Sequence, residues 1–268
     1  MAALLVLLFV VLAWSLLGGG GHGASSSVPG PPPLPLHSPP HAQEPAIDRV
    51  LGYTNYIEAG SRRRREVALT FDDGPSTFTP KLVKVLRARR VPATFFPVGY
   101  GIQRYGNYLQ LLRRDGFVVG DHTMTHPVLQ RFDVASQAKE IDGQAALVSG
   151  GGLPYPRLFR PPYGSFDQGT LGLLDERRML MVLWSVNPQD YYRPGTKVIV
   201  SRTLAAVHPG AIVLMHDGGG DRSQTVAAVK VLVGKLRKRG YRLVTVPRLL
   251  ADDPPSRLQG PPPNLAGI

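Results

Sequence analysis

Apolar and polar positions change in blocks between residues 66 and 249, and these blocks predict strands that alternate with helices. Between the strand candidates, apolar residues recur at helical spacing, most clearly from Val226 to Leu236, where Gly240 ends the predicted helix. Such alternation is typical of an α/β protein with parallel strands joined by right-handed crossovers. The short apolar runs that predict buried strands are residues 67–71, 93–98, 117–119, 158–159, 179–186, 211–215 and 241–246.

Seven strand candidates fit a (β/α)₇ barrel, and a doubly wound open sheet is the alternative. Pro80 directly follows Thr79, which predicts a helix capped by Thr79 that ends near Arg90. A longer helix is predicted over residues 134–148. In both architectures the reactive side chains lie at the carboxyl ends of the strands. The polar residues that follow each predicted strand are therefore the candidate site.

The first 43 residues differ from the rest of the chain because they contain none of its charged side chains. Residues 2–17 are apolar except for Ser15, a run of sixteen that is short for a membrane span and suits the apolar region of a secretory signal. We interpret residues 1–26 as a signal peptide and expect an exported protein. The absence of Lys or Arg before this run leaves an uncleaved membrane anchor as the alternative.

Proline marks both ends of the predicted catalytic domain. Residues 28–45 hold eight prolines without apolar periodicity, a composition typical of extended linkers. We predict a linker over residues 27–60, a single catalytic domain over residues 61–250, and a Pro-rich tail over residues 251–268.

The composition excludes several classes of site. The chain has no cysteine, so disulfide scaffolds, Cys-ligated metal sites and thiol nucleophiles are excluded. The net charge of +12 raises the question of an anionic partner, but no nucleic-acid motif accompanies it and no nucleic acid is expected. Electrostatic association with an anionic cell wall or membrane surface is one interpretation, and an ordinary solvated surface is the other.

Two strand ends carry candidate metal ligands. Asp72 and Asp73 follow the first strand, and adjacent carboxylates either raise the pKa of one partner or bind a cation. An ordinary Asp-Gly turn is the alternative. His122 and His126 follow the third strand at a spacing of four, which on a helix would place both imidazoles on one face, although Pro127 favours a loop. Two unconnected surface histidines are the alternative.

Two further strand ends carry candidate catalytic groups. Arg160 follows the fourth strand, and its guanidinium suits the fixed orientation of a carboxylate. His216 ends a strongly apolar strand, where it is a candidate general acid or a buried structural imidazole. His208 lies at the opposite end of the same strand, and we expect it to be structural.

These segments together resemble the polysaccharide deacetylases, carbohydrate esterase family 4, over residues 66–249. The resemblance implies a distorted (β/α)₇ barrel, one divalent metal ion, and hydrolysis of acetyl groups from acetylated sugars. The motifs that carry it are Thr70-Phe71-Asp72-Asp73-Gly74-Pro75, His122-Thr123-x-x-His126, Arg160-Pro161-Pro162-Tyr163-Gly164, residues 184–191 and Leu214-Met215-His216-Asp217.

The resemblance also implies a role for each matched residue. Asp72 would be the general base, His216 the general acid, and Asp190 the carboxylate that sets the charge of His216. Arg160 would hold Asp72, while the backbone amide of Tyr163 would help to bind the oxyanion. The implied metal ligands are Asp73, His122 and His126, and the implied substrate-binding residues are Leu214 at the acetyl methyl together with Pro161, Tyr163, Trp184 and Tyr191.

One carboxylate and two imidazoles would leave coordination positions open for water and the acetyl carbonyl. Zinc is the default ion for this ligand set, and cobalt, nickel and iron are compatible with it. The chain departs from the family pattern at two places. Asn187 and Tyr191 stand where the family often has Asp and Trp, which changes the groove wall, and Asp121 stands where Asn commonly precedes the first histidine.

Three functions follow from these observations. The leading hypothesis is a metal-dependent N-deacetylase of N-acetylglucosamine polymers such as peptidoglycan or chitin-like chains. An O-acetyl polysaccharide esterase would depend less on His216, because an ester oxygen leaves more easily than an amide nitrogen. A wall-associated carbohydrate-binding protein with little activity would not need to retain a stoichiometric metal ion.

Overall fold

A computed structural model describes residues 44–257 of the chain. Helices and strands alternate along most of this range, as the apolar pattern predicts. The strands are β1 (Tyr56–Ile57), β2 (Glu66–Asp72), β3 (Thr94–Phe96), β4 (Val118–Val119), β5 (Leu158–Phe159), β6 (Leu180–Val182), β7 (Ala211–His216) and β8 (Arg242–Val244). The helices are α1 (Glu44–Leu51), α2 (Thr79–Ala88), α3 (Gly99–Arg104), α4 (Gly106–Arg114), α5 (Val134–Gly150), α6 (Gln168–Glu176), α7 (Thr196–Ala206), α8 (Ser223–Lys238) and α9 (Val246–Asp252).

The strands close into a distorted barrel. One sheet has the order β4-β3-β2-β7, the other has the order β1-β6-β5, and every ladder in them is parallel. Two parallel bridges, between Asp121 and Phe159 and between Val186 and Val213, join the two sheets. The distortion lies at β2, whose first half pairs with β8 and whose second half pairs with β3. The predicted α/β fold with a distorted barrel is confirmed.

Apolar side chains fill the barrel and separate its two ends. Ala68, Phe96 and Ile212 belong to one buried cluster inside the barrel, and residues of α1 and α9 belong to the same cluster. These two helices therefore cover the end of the barrel where the strands begin. Helices α2, α7 and α8 pack against the outside of β2 and β7 in a second cluster. None of these helices covers the carboxyl ends of the strands, where the candidate site residues lie.

The beginning of α2 differs from the prediction. Thr79 is the first helical residue, and Phe78 occupies the capping position without a side-chain cap. The Thr79 hydroxyl instead accepts a hydrogen bond from the Ser76 amide at 2.8 Å and donates one to the Asp217 carboxylate. Thr79 thus connects the turn after β2 to the end of β7.

The predicted domain boundaries need correction at both ends. The linker predicted over residues 27–60 is wrong from Glu44 onward, because α1 and β1 belong to the folded unit. Pro45 is tolerated in the first turn of a helix, so the high proline content wrongly predicted a linker where a short amphipathic helix forms. The domain also extends past residue 250, since α9 reaches Asp252 and Asp253 is buried against Ser61.

The rest of the terminal predictions lie outside the described residues. These are the signal or anchor segment over residues 1–26, the linker up to residue 43, and the tail from residue 258. Within residues 44–257, no helix has both the length and the apolar character that crossing a membrane requires.

Substitution of a buried side chain on α1 tests whether this helix stabilises the fold. Ile47 is 3% exposed within the interior cluster, so we expect Ile47→Ala to lower the free energy of unfolding by about 2–4 kcal/mol. Val231→Ala is the control, because Val231 is 41% exposed on α8 and should change stability by less than about 0.5 kcal/mol. Urea denaturation measures both. Equal effects of the two substitutions would mean that α1 does not stabilise the domain.

Candidate active site

Four strand ends bring the candidate residues to one edge of the barrel. Asp72 and His216 are the last residues of β2 and β7, and they are direct partners in the register of that parallel ladder. His122 lies just beyond β4, and Arg160 follows β5 directly. The parallel topology therefore places residues that are far apart in sequence next to each other.

Arg160 is fully buried and holds Asp72. One terminal nitrogen of its guanidinium donates to Asp72 Oδ1 at 2.7 Å and to Thr70 Oγ1 at 2.8 Å. Its other nitrogens donate to the backbone carbonyls of Val182 at 2.9 Å and Leu183 at 3.2 Å. The second oxygen of Asp72 remains directed toward His122, whose Nε2 lies 3.9 Å from it. Asp72 is thus fixed with one oxygen available on the side of the histidines.

Asp73, His122 and His126 form a cluster that fits a metal ion. Asp73 Oδ1 lies 3.5 Å from His122 Nε2 and 3.3 Å from His126 Nε2, and the three candidate ligand atoms lie within 4.8 Å of one another. Asp73 Oδ1 is buried and has no hydrogen-bond partner among the described residues. A buried carboxylate oxygen facing two imidazole nitrogens is the arrangement that a divalent cation satisfies.

The protonation states agree with a ligand set. Burial opposes the charge of Asp73, but the adjacent His122 imidazole and the positive charge of His216 outweigh it, so the pKa of Asp73 is lowered. Burial, helped by neighbouring His122, lowers the pKa of His126 to about 4, so its imidazole is neutral at neutral pH. His122 Nδ1 lies 2.6 Å from the Arg160 carbonyl; as the donor of that bond it leaves Nε2 free to coordinate.

The two histidines lie on a turn and not on a helix. Thr123 and His126 have φ values of 66° and 62°, in the left-handed region. The Asp121 carboxylate accepts the Thr123 amide at 2.8 Å, and the Thr123 hydroxyl accepts the His126 amide at 3.1 Å. Asp121 therefore shapes this turn through the backbone, and burial raises the pKa of its carboxyl well above the ordinary value. The loop that Pro127 favours is the arrangement observed.

His216 and Asp190 form a buried pair on the other side of Asp72. His216 Nδ1 lies 2.7 Å from Asp190 Oδ1, while the His216 amide and the Thr225 hydroxyl donate to Asp190 Oδ2 at 2.9 and 2.7 Å. Burial disfavours a charged imidazole, but the charge and hydrogen bond of Asp190, with the charges of Asp73 and Asp72, outweigh it and raise the pKa of His216 to about 9. His216 is therefore protonated at neutral pH.

The predicted substrate-binding residues are distributed unevenly around this edge. Tyr163 is 59% exposed, and its ring centroid lies 4.5 Å from that of His126. The ring of Tyr191 lies 5.3 Å from that of His216. Leu214 is buried on β7, two residues before His216 and on the same face of the strand. These three residues border the reactive groups.

Pro161 is buried, and Trp184 is half-buried beside Arg160. Pro161 is buried directly before the turn that carries Tyr163, whose φ of 57° is left-handed. Trp184 packs against the interior cluster, with its ring centroid 5.8 Å from the Arg160 guanidinium. In this arrangement both residues support site residues, and the structure shows no open surface of Pro161 toward a substrate.

Sequence reasoning assigned no role to Asp217, which the structure places at the centre of the strand-end turns. Its amide donates to the Asp72 carbonyl at 3.0 Å, and its carboxylate accepts the Thr79 hydroxyl. Burial and the charges of Asp73 and Asp72 raise its pKa to about 7. Gly218 permits the close approach of the turn after β7 to the turn after β2, because a Cβ at residue 218 would lie 1.9 Å from the Asp73 carbonyl oxygen. A carboxylate directly after His216, at the end of a strongly apolar strand, was the available signal.

Comparison with known proteins identifies the family. The chain is 41% identical over 198 residues to a chitooligosaccharide deacetylase of Bradyrhizobium sp. (strain ANU 289). This alignment covers 69% of the present chain and 90% of that protein. The chain belongs to the polysaccharide deacetylase family. A family model for polysaccharide deacetylase matches residues 59–181. A peptidoglycan-N-acetylglucosamine deacetylase of Bacillus cereus is 38% identical over 188 residues, covering 69% of this chain and 87% of that protein.

Solved structures agree with this membership. A peptidoglycan N-acetylglucosamine deacetylase superposes with a TM-score of 0.72 at 29% identity, covering 78% of this chain and 97% of that one. A carbohydrate esterase family 4 pseudoenzyme from Bacillus anthracis gives a TM-score of 0.69 at 27% identity, covering 73% of this chain and 68% of that one. The family predicted from the sequence motifs is confirmed, and with it the class of metal-dependent deacetylases.

Metal affinity tests the cluster of this deacetylase. We expect Asp73→Asn and His126→Ala each to weaken binding of one divalent ion per chain by more than about 100-fold, because each removes a direct ligand. His208→Ala is the control, since His208 lies at the opposite end of β7 and contacts the Pro209 carbonyl. Isothermal titration calorimetry with zinc measures all three. Retained affinity in the Asp73 and His126 variants would exclude this cluster as the metal site.

The charge of His216 can be measured separately. In Asp190→Asn the counter-charge is removed while burial remains, so we expect the pKa of His216 to fall from about 9 by at least about one unit. A group with a raised pKa stays protonated until the pH rises through that value, so the variant should lose its proton at lower pH. NMR titration of the imidazole resonances reports this, with His208 as the internal control. An unchanged pKa would show that Asp190 does not set the charge.

Proposed function

We propose that this polysaccharide deacetylase hydrolyses the N-acetyl groups of N-acetylglucosamine polymers, either peptidoglycan or chitin-like chains. The observation that carries the proposal is a separate base and acid, Asp72 and protonated His216, at paired strand ends beside the metal-ligand cluster. Relatives named as chitooligosaccharide and peptidoglycan-N-acetylglucosamine deacetylases support the same substrate class.

We propose that Asp72 takes a proton from the attacking water. Its carboxylate is 2% exposed and held by Arg160, so its free oxygen keeps one orientation toward the cluster. A bound divalent ion, held by Asp73, His122 and His126, would supply Lewis-acid polarisation of the acetyl carbonyl and a more acidic water. We propose zinc as the native ion, because one carboxylate and two imidazoles with open positions are typical of catalytic zinc.

We propose that His216 gives its proton to the departing nitrogen. An amide nitrogen leaves poorly unless it is protonated, and a general acid must hold its proton at the working pH. The Asp190 pair keeps that proton on His216 at neutral pH. An ester oxygen has less need of such an acid. This pair therefore favours N-deacetylation over the O-acetyl esterase alternative.

The oxyanion and the acetyl methyl also have candidate partners. The left-handed turn at Tyr163 lies beside His126, and we propose that its backbone amide donates to the developing oxyanion. We propose that Leu214, on the same strand face as His216, receives the acetyl methyl. Tyr191, next to the His216 ring, would then contact the sugar and carry the substrate preference that distinguishes this chain.

The fold alone does not carry the activity. A pseudoenzyme is among the solved structures that superpose on this chain, so the architecture occurs without catalysis. In this chain the ligand cluster, the held carboxylate and the charged imidazole occur together. This combination disfavours the alternative of a binding protein with little activity.

We also propose that the enzyme acts outside the cytoplasm. Support comes from the uncharged apolar run over residues 2–17 and the proline-rich stretch that follows it. Polymers of N-acetylglucosamine in a cell wall would be reached there.

Release of acetate tests the function. We expect metal-dependent release from N-acetylglucosamine oligomers or peptidoglycan, stopped by chelator and restored by zinc. Asp72→Asn and His216→Ala should each lower kcat by about 10²–10⁴-fold, because each removes a positioned proton-transfer group. His208→Ala is the control and should retain activity.

Acetylated xylan separates the two enzymatic alternatives. We expect His216→Ala to damage amide hydrolysis much more than any ester hydrolysis, because only the amine needs protonation to leave. Release from xylan alone, with the amide substrates untouched, would overturn N-deacetylation. One bound metal ion without release from any of these substrates would also contradict the proposal.

A further inference from the structure

The end of the barrel opposite the active site carries a basic face that the proposed chemistry does not use. Four of its members are consecutive arginines in the loop before β2, and the others lie where α2, α4 and α8 end. All eleven side chains are exposed. The basic face consists of residues 62–65 and 237–239 with Arg87, Arg90, Arg114 and Lys235.

The basic face is continuous. Arg65 donates to the Arg239 carbonyl at 2.7 Å, which joins the arginine loop to the end of α8. Arg237 donates to the Arg90 carbonyl at 3.1 Å, which joins α8 to the end of α2. Asp115 lies 3.5 Å from Arg87 and 3.2 Å from Arg114, which joins α2 to α4.

The carboxylates near this face are mostly covered. The side chain of Asp115 is 8% exposed, that of Asp253 is 1% exposed, and that of Glu66 is 3% exposed. The cations around them point to solvent, so the accessible charge is positive. Cations at helix carboxyl ends are favoured by the helix dipole, but the four arginines before β2 end no helix. The dipole therefore does not account for the four arginines of residues 62–65.

The chain enters the described fold beside this face. Glu44 begins α1 and lines a small cavity together with Phe117, at the start of β4. Phe117 also lines the adjoining cleft of about 410 Å³, which is bordered by Arg87, Arg90 and Arg114. The sequence that precedes Glu44 is thus joined covalently to the fold at this end of the barrel.

We propose that the basic face docks on the anionic headgroups of a membrane, with the active site turned away from the lipid. Clusters of Lys and Arg bind anionic lipid surfaces, and the eleven exposed cations of this face surround carboxylates that are themselves covered. The opposite, carboxyl end of the barrel then faces the polymer. The inference does not depend on the deacetylase activity, because it concerns the other end of the molecule.

Labels at the two ends of the barrel test the orientation. The full chain has no cysteine, so Ala88→Cys at the end of α2 and Ala135→Cys at the start of α5 each give one labelling site. Both alanines are exposed. With phosphatidylglycerol-containing vesicles that carry a headgroup acceptor, we expect energy transfer from the label at residue 88 and little from residue 135. High salt should abolish the difference, because it screens the headgroups.

A charge variant tests the basic face itself. We expect Arg64→Gln/Lys235→Gln/Lys238→Gln to reduce transfer from residue 88 to the level seen from residue 135. The matched control, Lys139→Gln/Lys197→Gln/Lys230→Gln, removes three exposed cations elsewhere and should leave the transfer unchanged. Comparison with pure phosphatidylcholine vesicles separates this attraction from insertion of the apolar run.

Three results would overturn the proposal. Equal transfer from residues 88 and 135 would show no preferred orientation, and equal transfer with neutral vesicles would assign attachment to the apolar run alone. Complete displacement from anionic vesicles by soluble polyphosphate, bound more tightly than the vesicles, would assign the face to a phosphate-rich polymer. Acetate release enters none of these readouts, so loss of activity would not imitate any of them.

Discussion

The buried ion pair between Arg160 and Asp72 is the interaction on which the site depends. Two charges removed from water need full compensation, and removal of either one leaves the other uncompensated. The Arg160 guanidinium is compensated by Asp72, Thr70 and two backbone carbonyls, and its ring neighbour Phe96 lies 4.2 Å away. Its own carbonyl also faces His122 Nδ1 at 2.6 Å. One residue therefore orients both the proposed base and a proposed metal ligand, so their geometries cannot vary independently.

The groups around Asp72 give the two neighbouring histidines, His126 and His216, different charges. On one side of Asp72, burial keeps the His126 imidazole neutral. On the other side, the Asp190 carboxylate keeps the His216 imidazole charged. The same residue type thus takes two protonation states at this edge, and the carboxylate that faces Nδ1 distinguishes His216. Thr225 and the His216 amide also donate hydrogen bonds to Asp190, so the carboxylate that faces His216 is held in one orientation.

Much of this arrangement could be predicted from the sequence, because the apolar runs place Asp72, His122, Arg160 and His216 at the carboxyl ends of strands that a parallel topology brings together. The distances within the metal-ligand cluster depend on left-handed backbone at Thr123 and His126, which the residue types at these positions do not predict. The role of Asp217 depends on a contact with Thr79 that is 138 residues distant in sequence. Helix α1 was missed because eight residues containing proline carry too little periodic signal.

The two ends of the barrel have opposite requirements, and the distribution of charge follows from them. The carboxyl edge concentrates Asp72, Asp73, Asp190 and Asp217, so a cation and a protonated imidazole are needed there to offset buried negative charge. On the basic face at the amino edge, the carboxylates of Asp115 and Glu66 are covered, and the surplus cations are left in solvent. The net charge of +12 is therefore not a uniform property of the surface. Because each strand runs from the basic edge to the acidic one, a polyanionic surface and a metal ion are attracted to opposite ends of the same fold.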